Sequence, residues 1–171
     1  GAKYPCEWGP AGGVGPLEYF GPRWRKVSAV LAGLSAGVAE GDPAAKRAMG
    51  TAGWGHLGAF DRLVEDGVAW DITVWHDYEG VSEDSLVRLA SFGRPIWITE
   101  FNAGGGGQVD PETNAARLVE RMAYYRRMRA RFRLEAAYVY ELLDETYWGE
   151  TFEARMGLMS IAPRAEGGWR I

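Results

Sequence analysis

A glutamate that ends a run of large apolar residues is the first feature of this sequence that chemistry can use. Ile96-Trp97-Ile98-Thr99-Glu100-Phe101-Asn102 reads as a buried strand with a carboxylate of catalytic type at its exit. Burying a carboxylate costs on the order of several kcal/mol unless it is paired or put to use. The bland alternative is a strand-exit glutamate that caps the next loop or pairs with an arginine. Trp75-His76-Asp77-Tyr78 stands at the end of the preceding apolar run, where His76 or Tyr78 can donate a hydrogen bond to Glu100. Such a donor keeps a carboxylate ionised and oriented. His76 also reads as an ordinary strand-end histidine. Tyr140, Glu141 and Asp144 follow the next strand towards the same mouth, and Trp148 offers a flat wall. Taken blandly, these four are surface loop residues. His56, His76, Asp77 and Glu100 include metal-ligating types, but two histidines on different loops lack the paired spacing of a zinc site. No metal and no cofactor is expected. The Gly104–Gly107 run lacks the Gly-Lys-Ser/Thr ending of a phosphate loop and reads as a flexible loop at the mouth.

The elements that must position these groups follow from periodicity and punctuation. Trp24, Val27, Leu31, Leu34 and Val38 recur at three- and four-residue steps over 22–40, an apolar helical stripe that Gly41-Asp42-Pro43 stops. The run 45–51 reads as a strand leading into the loop Ala52-Gly53-Trp54-Gly55-His56. A short helix with Phe60, Leu63 and Val64 inward comes next. Val68 to Trp75 is too continuously apolar for a half-exposed strand and suits one covered on both faces. Ser82 caps a helix with Glu83 and Asp84 in its first turn, ended by Gly93 and Pro95. Asp110-Pro111-Glu112 begins a helix running to about Phe132, with Leu118, Val119, Met122, Tyr125 and Met128 inward. Leu134 to Leu142 is the last strand. Strand and helix alternating with short connections imply an α/β class with parallel strands joined by crossover helices.

Bulk properties exclude several roles. A chain of 171 residues with 47% hydrophobic residues can bury a core, so one domain over 1–171 is expected, with 1–21 loosely ordered. A net charge of -4, spread along the chain, argues against nucleic acid as a partner. Cys6 is alone, which rules out an internal disulfide and a Cys-rich zinc site. No apolar stretch reaches the roughly 18 residues of a membrane span, and Gly1-Ala2-Lys3 does not begin a signal peptide. Membrane is therefore not an expected partner, and nothing in the chain separates an extracellular from a cytoplasmic setting. Eight Trp, eight Tyr and six Phe make 13% aromatics, enough to spare flat rings for sugar faces beyond those that pack the core.

Trp97-Ile98-Thr99-Glu100-Phe101-Asn102 resembles the strand-seven nucleophile motif of the clan A glycoside hydrolases, which are (β/α)8 barrels. Gly41-Asp42-Pro43 is similar to that superfamily's helix-four exit, Trp75-His76-Asp77-Tyr78 to its strand-six end, and Tyr140-Glu141-Leu142-Leu143-Asp144-Glu145 to its last strand. The ordered set covers most of residues 20–162. The resemblance implies the C-terminal part of a barrel and retaining hydrolysis of O-glycosidic bonds in an oligosaccharide or polysaccharide. Two carboxylates about 5 to 5.5 Å apart would act, one as nucleophile and one as acid, then base. Glu100 takes the nucleophile's place. The acid/base of the superfamily follows an asparagine at the end of strand four; here Glu7 stands 93 positions before Glu100, but with Cys6 in front of it and Pro5 in the strand. Glu18 is a second candidate. The expected sugar contacts are Trp54, His76, Tyr78, Asn102, Tyr140, Glu141 and Trp148.

A full barrel takes about 250 residues and at least about 200. Strands near residues 4, 47, 72, 98 and 138 give about five, a partial barrel that matches positions four to eight. Open edges and an apolar inner face are an association hazard, so the chain is expected to pair with itself or to need a missing N-terminal portion. A non-catalytic carbohydrate-binding or scaffold remnant is the competing function.

Overall fold

The computed structural model describes residues 13–50, 55–78, 80–103, 109–149, 151–163 and 169–170. Trp54 and Glu7, and with Glu7 the strand expected near residue 4, lie outside them. Four parallel strands form one sheet in the order β1 (Ala48–Gly50), β2 (Ile72–Asp77), β3 (Ile96–Phe101) and β4 (Leu134–Val139). The helices are α1 (Gly21–Gly41), α2 (Gly58–Glu65), α3 (Glu83–Ala90) and α4 (Pro111–Phe132). The α/β class with crossover helices is as the sequence pattern implies. Two short strands were not anticipated: β5 (Ala162–Pro163) pairs antiparallel with β6 (Trp169–Arg170).

The chain divides into two compact units, one running to His76 and resuming over Ser82–Trp97, the other made of Asp77–Val81 and Ile98–Ile171. Within the first, α1 is held by polar anchors. Trp24 Nε1 donates to Asp66 at 2.7 Å, and Ser35 Oγ donates to the Ala69 carbonyl at 2.5 Å. Arg47 grips Asp71 with two side-chain bonds of 2.7 and 2.9 Å and reaches the Ser35 hydroxyl. These anchors turn Trp24, Ser28 and Ser35 inward, with Val27 and Leu31 half-buried, and leave Leu34 62% and Val38 41% exposed, which corrects the last two positions of the expected stripe. The physical reason is that α1 carries alanine, valine, leucine and glycine on all sides, so apolar spacing does not select a face; directional hydrogen bonds do.

Phe60 and Leu63 of α2 are buried as expected, whereas Val64 is exposed. Phe60, Trp70 and Phe92 pack with ring centroids 5.5 to 6.0 Å apart, and the Arg94 guanidinium lies 4.0 Å over the Trp70 ring. β2 starts four residues later than its apolar run and extends to Asp77, because Trp70 is spent in the approach, where its indole donates to the Thr73 hydroxyl. The strand is buried along nearly its whole length, as its composition requires. Ser82 caps α3 by accepting from the Ser85 amide at 3.1 Å.

In the second unit, Asp110 caps α4 by accepting from the Thr113 amide at 2.9 Å, with Pro111 opening the helix. The buried face is Leu118, Tyr125 and Phe132, with Arg121 and Met128 half-buried; Val119 and Met122 point to solvent, against expectation. β4 ends at Val139, three residues short of the expected end, and the chain then turns so that Leu143 bridges Met159.

Candidate active site

Glu100 owes its position to the alternation of β3. Phe101 points towards α4, where its ring meets Tyr125 edge-on at 5.0 Å. Successive residues of a strand face opposite ways, so Glu100 lies on the other face, in line with the buried Ile96 and Ile98. Glu100 is half-buried.

Its hydrogen-bond donor comes from the exit of β2. Asp77 is buried and accepts from three directions: the Gly80 amide at 2.6 Å, Arg121 Nη1 at 3.3 Å, and the Tyr125 hydroxyl. Gly80 adopts φ +99°, and a Cβ there would meet the Arg121 guanidinium at 2.7 Å, so glycine alone fits this turn. The tight turn fixes Tyr78, whose hydroxyl donates to Glu100 Oε2 at 2.6 Å. Burial, reinforced by the bond to Glu100, raises the Tyr78 phenol well above its ordinary range, so it remains a donor wherever the carboxylate is an acceptor.

The exit of β4 completes the group. Tyr140 meets Tyr78 edge-on, with centroids 5.9 Å apart at 79°. Its hydroxyl donates to Glu145 Oε2 at 2.9 Å, and Trp148 Nε1 donates to the same oxygen at 2.7 Å. Trp148 is 49% exposed and lies against Tyr147, presenting an aromatic ledge. The Tyr140–Glu141 peptide is cis. Glu141 is pinned by its backbone, its amide directed to the Met156 carbonyl and its own carbonyl accepting from Leu158 at 3.0 Å. Its Oε1 is buried and has no hydrogen-bond partner among the described residues. Burial, then the negative charge of Glu145, pushes the Glu141 carboxyl up to about 7. Hydrogen bonds from Tyr147 and Trp148 hold Glu145 below the usual carboxylate range.

Of the residues singled out in the sequence, Tyr78, Glu100, Tyr140, Glu141 and Trp148 therefore gather at the exits of β2, β3 and β4. Asn102 has a different job. It is fully buried, its Nδ2 donates to the carbonyls of Tyr140 and, at 2.8 Å, Met156, and its Oδ1 accepts from the Ala103 amide at 2.6 Å. It ties the end of β3 to the end of β4, with both polar atoms of its side chain engaged by the backbone. Asp144 is likewise engaged, accepting from the Gly157 amide at 3.0 Å. His76 is half-buried on β2 and belongs to the first unit. In that unit, His56 pairs with the Tyr19 hydroxyl at 2.8 Å, and Glu18 accepts from the Gly13 and Gly15 amides, so both close local structure. The Asp77, Arg121 and Tyr125 network and the anchoring role of Glu145 went unread in the sequence. The four-residue spacing of Arg121 and Tyr125 on one helix face, opposite an Asp at a strand exit, was the available signal.

No family model matches the sequence, and no curated protein matches it. Among solved structures, one described as "Structure of PfGH50B" superposes with a TM-score of 0.60 at 14% identity, over 80% of this chain and 21% of that one. PfGH50B is a glycoside hydrolase family 50 protein. This chain shares the fold of part of that structure. It spans about a fifth of that protein's length.

Because Asn102 satisfies two buried carbonyls and one amide, Asn102→Leu should destabilise the protein by about 2–4 kcal/mol, the cost of leaving such groups unpaired. Urea unfolding followed by circular dichroism measures it; a loss under about 1 kcal/mol would show that the clamp is dispensable.

Proposed function

We propose that the chain carries the nucleophile side of a retaining glycoside hydrolase site. The observation that carries this reading is the 2.6 Å bond from Tyr78 to Glu100 at the exits of neighbouring strands of a parallel sheet, the end at which barrel enzymes place their chemistry. Glu100 attacks the anomeric carbon of an O-linked oligosaccharide and forms a glycosyl ester, which water then cleaves. Tyr78 orients the attacking carboxylate, Trp148 gives a sugar face a ring to stack on, and the site uses no metal or cofactor. The resemblance to clan A enzymes and the fold shared with PfGH50B support this assignment.

Glu100→Gln keeps the shape of the side chain but cannot form the ester, so it should abolish turnover. Tyr78→Phe removes one hydrogen bond to a charged group and should lower kcat by about 10–100-fold, equivalent to about 1.5–3 kcal/mol. Initial rates on a panel of aryl glycosides, with folding checked by circular dichroism, test both. Undiminished turnover by Glu100→Gln would end the assignment.

A second reading rests on α1. Its exposed Val30, Leu34 and Val38 recur every four residues and form an apolar stripe, the kind of face that seeks a partner. On this reading a second copy, or an N-terminal barrel portion, covers it, and the chain acts as a non-catalytic carbohydrate-binding scaffold. Light scattering on a size-exclusion column should give at least twice the monomer mass. A monomer over the micromolar range would remove the self-associating form of this reading.

A further inference from the structure

We infer that the cleft between the first turns of α4 and the 144–161 segment is a second carbohydrate site, which binds the extension of a neutral sugar chain beyond the units held at Glu100. The inference deepens the glycosidase reading above and rests on it for the class of ligand. The cleft has a volume of about 550 Å³, within the roughly 300–1,000 Å³ usual for small-molecule sites. It lies wholly in the second unit, at the end of the sheet where β3 and β4 exit. Leu118, which is buried, and Ile161 give it an apolar lining. Beside them stand both kinds of hydrogen-bonding group: the Arg155 guanidinium donates, the Asp144 carboxylate accepts, and the Thr146 and Ser160 hydroxyls do either. Arg155 makes no ion pair among the described residues, although Asp144 lines the same cleft. A cationic ligand would meet Arg155 and an anionic one Asp144. A pyranose ring brings an apolar face, edge hydroxyls that both donate and accept, and no charge. Asn114, on the α4 wall, carries a buried side-chain oxygen with no hydrogen-bond partner among the described residues, an unmet polar atom of the kind that functional sites retain.

Both walls are set before any ligand arrives. On one side, the Asp110 carboxylate accepts from the Thr113 amide at 2.9 Å and the Thr113 hydroxyl at 2.6 Å, and the Asp110 carbonyl accepts from the Asn114 amide, which fixes the first turn of α4. On the other, the Leu158 and Met159 amides donate to the carbonyls of Glu141 and Leu142, both at 3.0 Å, and Asp144 accepts from the Gly157 amide. A cleft with fixed walls gives up little conformational freedom on binding. The turn Thr146–Trp148 joins the cleft to the aromatic ledge, since Thr146 lines the cleft and the exposed rings of Tyr147 and Trp148 follow it. A sugar chain with one ring on Trp148 can run along this turn into the cleft.

The test titrates the isotope-labelled full chain with neutral cello-, xylo-, manno- and galacto-oligosaccharides, as dimers and as hexamers, and follows backbone amide shifts by NMR. The hexamer that binds should move the amides of Asn114 to Leu118 and of Arg155 to Ile161 as well as those around Glu100 and Trp148. It should also bind about tenfold more tightly than its dimer, the gain expected from one further hydrogen bond to a charged group. Arg155→Met, which removes the guanidinium, and Ala115→Trp, which fills the cleft, both change exposed positions and should each erase that gain, with folding checked by circular dichroism. Shifts confined to the surroundings of Glu100 and Trp148, or hexamer affinity in both variants equal to wild type, would overturn the inference and leave the glycosidase reading standing. Shifts at the cleft in a chain that hydrolyses no glycoside would uphold the cleft as a sugar site and remove Glu100 as nucleophile. Binding of no hexamer would overturn the inference whatever the turnover of aryl glycosides.

Discussion

Taking the Asp77 carboxylate out of water is unfavourable by several kcal/mol unless donors replace the lost hydration. Arg121 and Tyr125 of α4 and the Gly80 amide make that replacement, and the geometry they impose governs the rest of the site. The turn tightens until only glycine fits at position 80, and Tyr78 is delivered to Glu100. The same demand sets the rotation of α4. Arg121 and Tyr125 must face Asp77, so Met122 and Val119 are turned outward although both are apolar. One buried charge thereby decides a helix face and a strand exit together.

A comparable division of labour holds at the β4 exit. Asn102 spends every polar side-chain atom on the backbone and, with the backbone bonds of Tyr140 to Phe101 and of Glu141 to the 156–158 segment, holds Tyr140 and Glu141 in fixed places. Asp144 supports the returning segment at Gly157, where a Cβ would meet the Asp144 backbone nitrogen at 2.4 Å. With the frame held by Asn102 and Asp144, the carboxyls of Glu141 and Glu145 take on contrasting surroundings, one with a buried oxygen that meets no donor among the described residues and one accepting from Tyr140 and Trp148. Polar networks of this kind specify a single arrangement because each missing partner is costly.

How much of this the sequence disclosed depends on how local the determining interaction is. The Ser82 and Asp110 caps, and the strand ending at Glu100, were legible because each rests on a few consecutive residues. The placement of Tyr78 was legible because a donor at one strand exit faces a carboxylate at the next. The face of α1 was not, since its apolar and small residues surround the helix and hydrogen bonds to Asp66 and Ala69, dozens of residues away, select the side. Nor was the role of Asn102, which looked like a sugar contact until Met156, 54 positions later, supplied its second acceptor. The contrast between Glu141 and Glu145 likewise arises from burial and partner choice, which spacing along the chain does not encode.

The central claim is that Glu100 is the nucleophile. Incubation with a panel of 2-deoxy-2-fluoroglycosyl fluorides, followed by digestion and mass spectrometry, tests it most directly, because these compounds leave a stable ester on the attacking carboxylate. The account predicts an adduct on the peptide carrying Ile98 to Asn102, localised to Glu100. An adduct on another carboxylate, or none on protein that hydrolyses the parent glycoside, would contradict it.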